Sequence, residues 1–388
     1  MIDQLFSIII GFLLGVFSGF IPGIHSNTIS TLLMETNLDP MSLCFIIIAG
    51  LGAHTLISFV PAIFLGVPED STYISALPGQ KLVLEGEGLN AVKLIIISCL
   101  ISSFISLCLF PIVLILFPIT FNFIYPYLIF ILIFASCFMI VSERSIKKIL
   151  YASLVFIMAG VLGCITINAP IKEPLFPIFT GLFAFSTLIA TLWTKPKILK
   201  QINKKIEFNF WIPLLAGIIL GFIADLFPGI ATPAQLAVFV SPLLLACPKK
   251  YLVFTSSLAI SHIVFAFASL PTIGKARIGA LNYVSQLIEP SLNNLLPLMF
   301  IFILSICLAS ILLLLIYKKF EYIFRINTQH LYLCLILYLA VMVFLISGPL
   351  GIATLIAGTA IGSLPLFFNI KRVHVMGVII IPSILMLI

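Results

Sequence analysis

Asp225 stands in an apolar run that holds no other charge, three residues before Pro228. A carboxylate at membrane depth costs at least about 2.5 kcal/mol unless it faces a partner or a cavity. It therefore fits either a coupling site for Na⁺ or H⁺ or a structural acid at a helix end. His54 and His262 lie deep in other apolar runs. A neutral imidazole there either hydrogen-bonds a neighbouring helix or handles a proton or substrate.

Four small or polar residues follow two Pro-Gly pairs: His25, Ser26 and Asn27 after Pro22-Gly23, and Thr232 after Pro228-Gly229. If each pair breaks a helix, these residues set donors beside a positive helix N-terminus, where an ion would bind. Ser, Asn and Thr also cap helices, and the two roles are compatible. Pro68-Glu69-Asp70-Ser71-Thr72 reads as a helix start with acids in its first turn. Lys275 and Arg277 occupy the matching place in the second half. There they either snorkel to the interface or offer an anion their charge and, for Arg, a planar fork.

Other chemistries lack their residues. No paired intramembrane carboxylates, Ser/His/Asp arrangement or metal-ligand spacing is present, so the reading is not an enzyme and includes no metal or other cofactor beyond a coupling ion. The eight cysteines occur singly inside apolar runs, with no CxxC pair, which predicts neither disulfides nor zinc. The net charge of +7 does not point to nucleic acid, because the densest basic stretch, Lys195 to Lys205, carries five lysines without interleaved aromatics.

The elements that would position these residues are membrane helices. The chain has 388 residues, 62% hydrophobic and 9% charged, against roughly 25% charged in a soluble domain. Spans of about 20 apolar residues are expected near 41–66, 90–117, 121–141, 149–167, 175–193, 250–270, 294–317, 331–346 and 349–367, with a short one from 373. Two further apolar segments, 4–34 and 211–246, are interrupted by Ile21-Pro22-Gly23-Ile24 and Phe227-Pro228-Gly229-Ile230. Proline removes a helix donor and glycine permits a sharp turn, so each is expected to be a broken helix or a re-entrant hairpin.

These two segments are copies. Gly11, Gly15, Pro22, Gly23 and Ile24 fall on Gly217, Gly221, Pro228, Gly229 and Ile230 at a constant offset, and His54 has its counterpart in His262. The division expected is an N-terminal repeat, 1–205, and a C-terminal repeat, 206–388. Basic clusters at 144–148, 195–205, 249–250, 318–325 and 371–372 mark cytoplasmic loops. They are mutually consistent if segment 271–290 dips back without crossing. Residue 40 then lies outside and Lys249, its equivalent, inside, so the repeats are inverted. The expected fold is an all-α polytopic protein of the cell membrane, with about 10–12 transmembrane helices in two inverted repeats.

Several motifs together resemble the large membrane subunit of tripartite tricarboxylate transporters. They are the Pro-Gly break after a glycine-spaced helix, Pro61-Ala62-Ile63 followed by Val67-Pro68, the stretch through Gly79-Gln80-Lys81 and Glu85-Gly86-Glu87-Gly88, and the ending Arg372 to Pro382. The resemblance spans nearly the whole chain. It departs at Ile24-His25-Ser26-Asn27 and Ala53-His54-Thr55, where that family is glycine-rich. It implies ion-driven uptake of citrate-like carboxylates, helped by a binding protein and a small membrane subunit. It also implies that Pro22, Gly23, Pro228, Gly229 and the segment from Pro68 form the site. The function expected is a secondary transporter of small organic anions coupled to Na⁺ or H⁺. The alternative is a translocase of a lipid-linked phosphate, because another family with paired Pro-Gly re-entrant segments handles polyprenyl phosphates.

Overall fold

The computed structural model describes residues 2–22, 24, 26–66, 73–143, 145–194, 199–226, 247–274, 276, 278–325 and 328–388. The described residues form helices without strands. Seven runs are long and apolar enough to cross a membrane, and three shorter apolar helices accompany them. Four of the seven hold more than one α-helix.

The first half begins with α1 (Ile2–Phe20) and α2 (Ser26–Met34), separated at Pro22 as its missing N–H requires. Pro40 opens α3 (Pro40–Ile57), whose first turn is capped by the Asp39 carboxylate accepting from Ser42 N–H at 3.1 Å. α4 (Phe59–Leu65) continues α3 after a local interruption, since Pro61 cannot donate to the Ile57 carbonyl. α5 (Tyr73–Leu84) and α6 (Gly88–Ile124) follow. α6 runs through Pro111 and Pro118 and ends at a 3₁₀ turn, Tyr125–Tyr127, before α7 (Leu128–Val141). The break expected between 117 and 121 is therefore displaced, because neighbouring groups in a membrane helix tolerate an interior proline.

α8 (Ile146–Ile167) leads to a helix in three parts: α9 (Leu175–Phe179), a π-helical turn (Thr180–Phe185) and α10 (Ser186–Thr194). An extended segment, 199–210, connects to the second half. That half comprises α11 (Trp211–Leu226), α12 (Pro248–Ile273), the short α13 (Gly279–Leu287) and α14 (Leu292–Ile316). α15 (Thr328–Phe368) is two helices joined at Gly348, whose φ of 68° before Pro349 breaks the run where two spans are expected. α16 (Gly377–Leu387) closes the chain. At nine residues and about 1.5 Å per residue, α13 spans less than half a membrane, in keeping with a segment that dips without crossing.

The duplicated segments share their packing. A Cβ on Gly11 would overlap Ile46 and one on Gly15 would overlap Gly50 and Ala53, whereas Gly217 abuts Phe254 and Ser257, and Gly221 abuts Ser261 and His262. One offset relates Ile46 to Phe254, Ala53 to Ser261, His54 to His262, and the left-handed glycine ending α4, Gly66, to that ending α12, Gly274. Contact positions rise together on both members of each pair. α1 and α3 are therefore parallel, as are α11 and α12, and α2 with the following loop returns the chain between α1 and α3. The segment 4–34 is thus a hairpin.

α3 with α4 and α12 are the innermost elements, buried over 94% and 100% of their apolar windows. Packing is reciprocal. α3 lies on α14 of the other half while α12 lies on α6, and α13 touches α3 while α5 touches α12. One hydrophobic core joins these helices. A second joins α7, α8, the π-helical turn, α15 and α16 in a peripheral bundle.

Candidate functional site

In the second half the close approach of α11 and α12, permitted by Gly217 and Gly221, sets Asp225 against His262. The His262 Nε2 and Asp225 Oδ1 atoms lie 3.1 Å apart, with side chains 3% and 0% exposed. Both Asp225 oxygens and His262 Nε2 are nevertheless buried without a hydrogen-bond partner among the described residues. The nearby Ser257 and Ser261 hydroxyls donate to backbone carbonyls of Phe254, Ser257, Leu258 and Gly217. The carboxylate therefore sits in a protein interior with His262 against it and no hydrogen bond from the other described residues.

The first half sets a hydroxyl beside its histidine. The position matching Asp225 is Gly19, and His54 is met instead by Ser18, whose Oγ lies 2.9 Å from Nδ1 and 3.2 Å from the Gly15 carbonyl. Beside Ser18 is a cavity of about 10 Å³, room for one water. Ser26 and Ser30 line it with Gly15 and Gly50. Pro22 is buried at the turn between α1 and α2. Ser26 opens α2 and its carbonyl accepts from Ser30 Oγ at 2.9 Å. The Asn27 side chain lies against Gly279 at the start of α13, and the Asn27 carbonyl accepts from Thr31 Oγ1. Thr31 is bonded in turn to Tyr283 of α13 at 2.7 Å. The first break is thereby docked on the other half. Gly23, His25, Glu69, Ser71, Thr72, Pro228, Gly229, Thr232, Lys275 and Arg277 lie outside the described residues.

A latch joins the halves at one end of the core. Lys249, at the start of α12, pairs with Glu87 before α6. Gln201 of the connecting segment accepts from Gly88 N–H and donates to the Val83 carbonyl, both at 2.8 Å. Lys93 donates to Asn203, which Tyr317 after α14 also meets. Phe320, in the same region, packs on Phe20 and Phe64 at the ends of α1 and α4.

The peripheral bundle holds a second acid–histidine pair that sequence reasoning did not single out. Glu143 Oε1 accepts from the Lys371 N–H at 2.9 Å and lies 3.0 Å from His374 Nε2, with Lys371 Nζ anchored on Ser142. Burial opposes ionisation of Glu143, but the Lys371 N–H, the His374 ring and the Lys371 charge outweigh it and hold the carboxyl below its ordinary range. Arg372 donates to Ser186 and Thr187, each at 2.6 Å, on the turn following the π-helical segment.

Against known proteins, the model of the tripartite tricarboxylate transporter TctA family matches residues 5–377. An uncharacterized protein of Methanocaldococcus jannaschii is 29% identical, with 98% of each chain covered. No solved structure matches.

Proposed function

The chain belongs to the tripartite tricarboxylate transporter TctA family, and on that premise we propose that it is a secondary carrier of small carboxylate anions in the cell membrane, driven by a Na⁺ or H⁺ gradient and not acting as an enzyme. The observation that carries this reading is the Asp225–His262 pair, buried without hydrogen bonds among the described residues at the duplicated position of a helix pair. A buried carboxylate so poorly served stabilises nothing, which favours a working role over a structural one.

The two halves act as inverted repeats in this reading. α1 and α4 end near Phe320, whereas α12 begins at the latch in the same region, which supports opposite directions for the two helix pairs. Reciprocal packing of α3 on α14 and α12 on α6 agrees with a two-fold relation. Cargo binds between the pairs, where the first Pro-Gly break meets α13, and Lys275 and Arg277, just before α13 in sequence, supply positive charge to its carboxylates. A small membrane subunit and a binding protein that delivers the anion complete the assembly.

Purified protein in proteoliposomes tests this. Labelled citrate and smaller carboxylates should accumulate only under an imposed Na⁺ or H⁺ gradient. Failure of every carboxylate to move or to stabilise the protein against heat, together with stabilisation by a polyprenyl phosphate, would replace the reading with the lipid-phosphate alternative.

A further inference from the structure

We infer that the Asp225–His262 pair is a proton-binding site and that the proton it takes up is the coupling ion, which rests on the carrier reading above only for what the proton is coupled to. The argument begins with the ligands that the pair lacks. A hard cation such as Na⁺ is held by several converging oxygen atoms, not by an imidazole nitrogen. Here the described neighbours of the carboxylate turn away: Ser257 and Ser261 spend their hydroxyl protons on backbone carbonyls, and Gly217 O already accepts from Ser261. The group directly against Asp225 Oδ1 is a histidine nitrogen, which competes with a metal ion but shares a proton readily.

Charge counting gives the coupling. With one shared proton the pair is neutral, whether written as carboxylic acid and imidazole or as carboxylate and imidazolium. Without that proton it carries one net negative charge, buried in the protein interior. Among the described residues of the packed helices, no other charge lies beside the pair. Among the described residues of α5, α6, α12, α13 and α14, the charged groups are Lys81, Lys93, Lys249 and Lys250, all at helix ends. Lys93 is held by Asn203 and the Lys204 carbonyl, and Lys249 by Glu87. The remaining titratable groups there are weak acids, of which Tyr251 and Cys99 are fully buried. An anion entering between the helix pairs therefore meets a repelling negative charge when the proton is absent and none when it is present. Proton and anion favour each other's binding, and by linkage the effect is mutual. In the first half the described partner of His54 is the hydroxyl of Ser18, where His262 has a carboxylate.

The test is calorimetry on the purified full-length protein, titrating citrate in two buffers of different ionisation enthalpy at one pH. The difference in heat reads the protons taken up per anion. Wild type should take up about one proton per citrate, Asp225→Asn none, and Asp225→Glu should restore the uptake, while NaCl in place of KCl should change neither count nor affinity. No proton uptake by wild type, or uptake unchanged in Asp225→Asn, would overturn the inference, as would a citrate affinity that rises with Na⁺. If no carboxylate binds, the carrier reading fails and infrared titration decides the site by itself. A carboxylic acid band that comes and goes with pH and vanishes in Asp225→Asn supports the proton site, and no such band overturns it.

Discussion

Two buried carboxylates in this protein each lie about 3 Å from a histidine, and they are built to opposite ends. Glu143 in the peripheral bundle is surrounded by donors: a backbone N–H, the His374 ring and the nearby Lys371 ammonium. Asp225 in the core has no hydrogen bond among the described residues. The first pair joins segments far apart in sequence and fixes a carboxylate in its charged form. The second leaves a buried carboxylate with a histidine as its described neighbour. Satisfied ion pairs hold structures together, and unsatisfied ones survive where their charge has to change.

Mutations should separate the two. The largest effect is expected for Asp225→Asn, which should lower gradient-driven carboxylate uptake by about a hundredfold while leaving the thermal midpoint unchanged or slightly raised, because a buried carboxyl without a described hydrogen bond is gone. A large loss of stability would place Asp225 with Glu143 as a structural acid. Glu143→Gln should do the reverse, lowering stability by about 1.5–3 kcal/mol and leaving the ion dependence of uptake as in wild type. Its pH signature has a definite sign. A carboxyl whose pKa is lowered by folding stabilises fully above the ordinary carboxylate pKa, and that contribution is lost as pH falls through the lowered value. The acid limb of a stability profile should therefore be shallower in Glu143→Gln.

Smaller effects refine the contrast within the core. Ser18→Ala removes the neutral partner of His54 and should reduce stability by about 1 kcal/mol, with no change in proton count per anion. A changed count would make the first half a participant in coupling. Lys249→Ala breaks a partly exposed pair with Glu87 and should reduce stability by about 0.5 kcal/mol, less at high salt, as read by thermal unfolding at two salt concentrations.

The sequence makes much of this visible in pieces. Hydropathy marks the spans, and Gly348-Pro349 shows where α15 divides. Asp225 and His262 stand out singly as polar groups in apolar runs. Their meeting was legible in principle, since the glycine spacing of α11 sets the register against α12, but that register requires knowing that the two helices run parallel. Ser18 gave no signal, being an ordinary small residue one turn after Gly15. Glu143 lies between two expected spans and His374 at the start of the last one, and nothing local links positions so far apart. Pro118 misled for a physical reason: in lipid a helix continues past a proline when neighbours serve the freed carbonyl.

The π-helical turn at Thr180–Phe185 has a consequence for how the chain can change length. A π turn houses one residue more than the α-helical register needs, so this stretch is a built-in single-residue insertion. Deleting one residue there would let the helix close into ordinary α form without a break. Everything beyond it would then rotate by about 100° relative to what precedes, carrying Ser186 and Thr187 away from the Arg372 guanidinium they now receive. The extra residue works as a spacer that aims two hydroxyls, and its removal should release Arg372 while the helix itself persists.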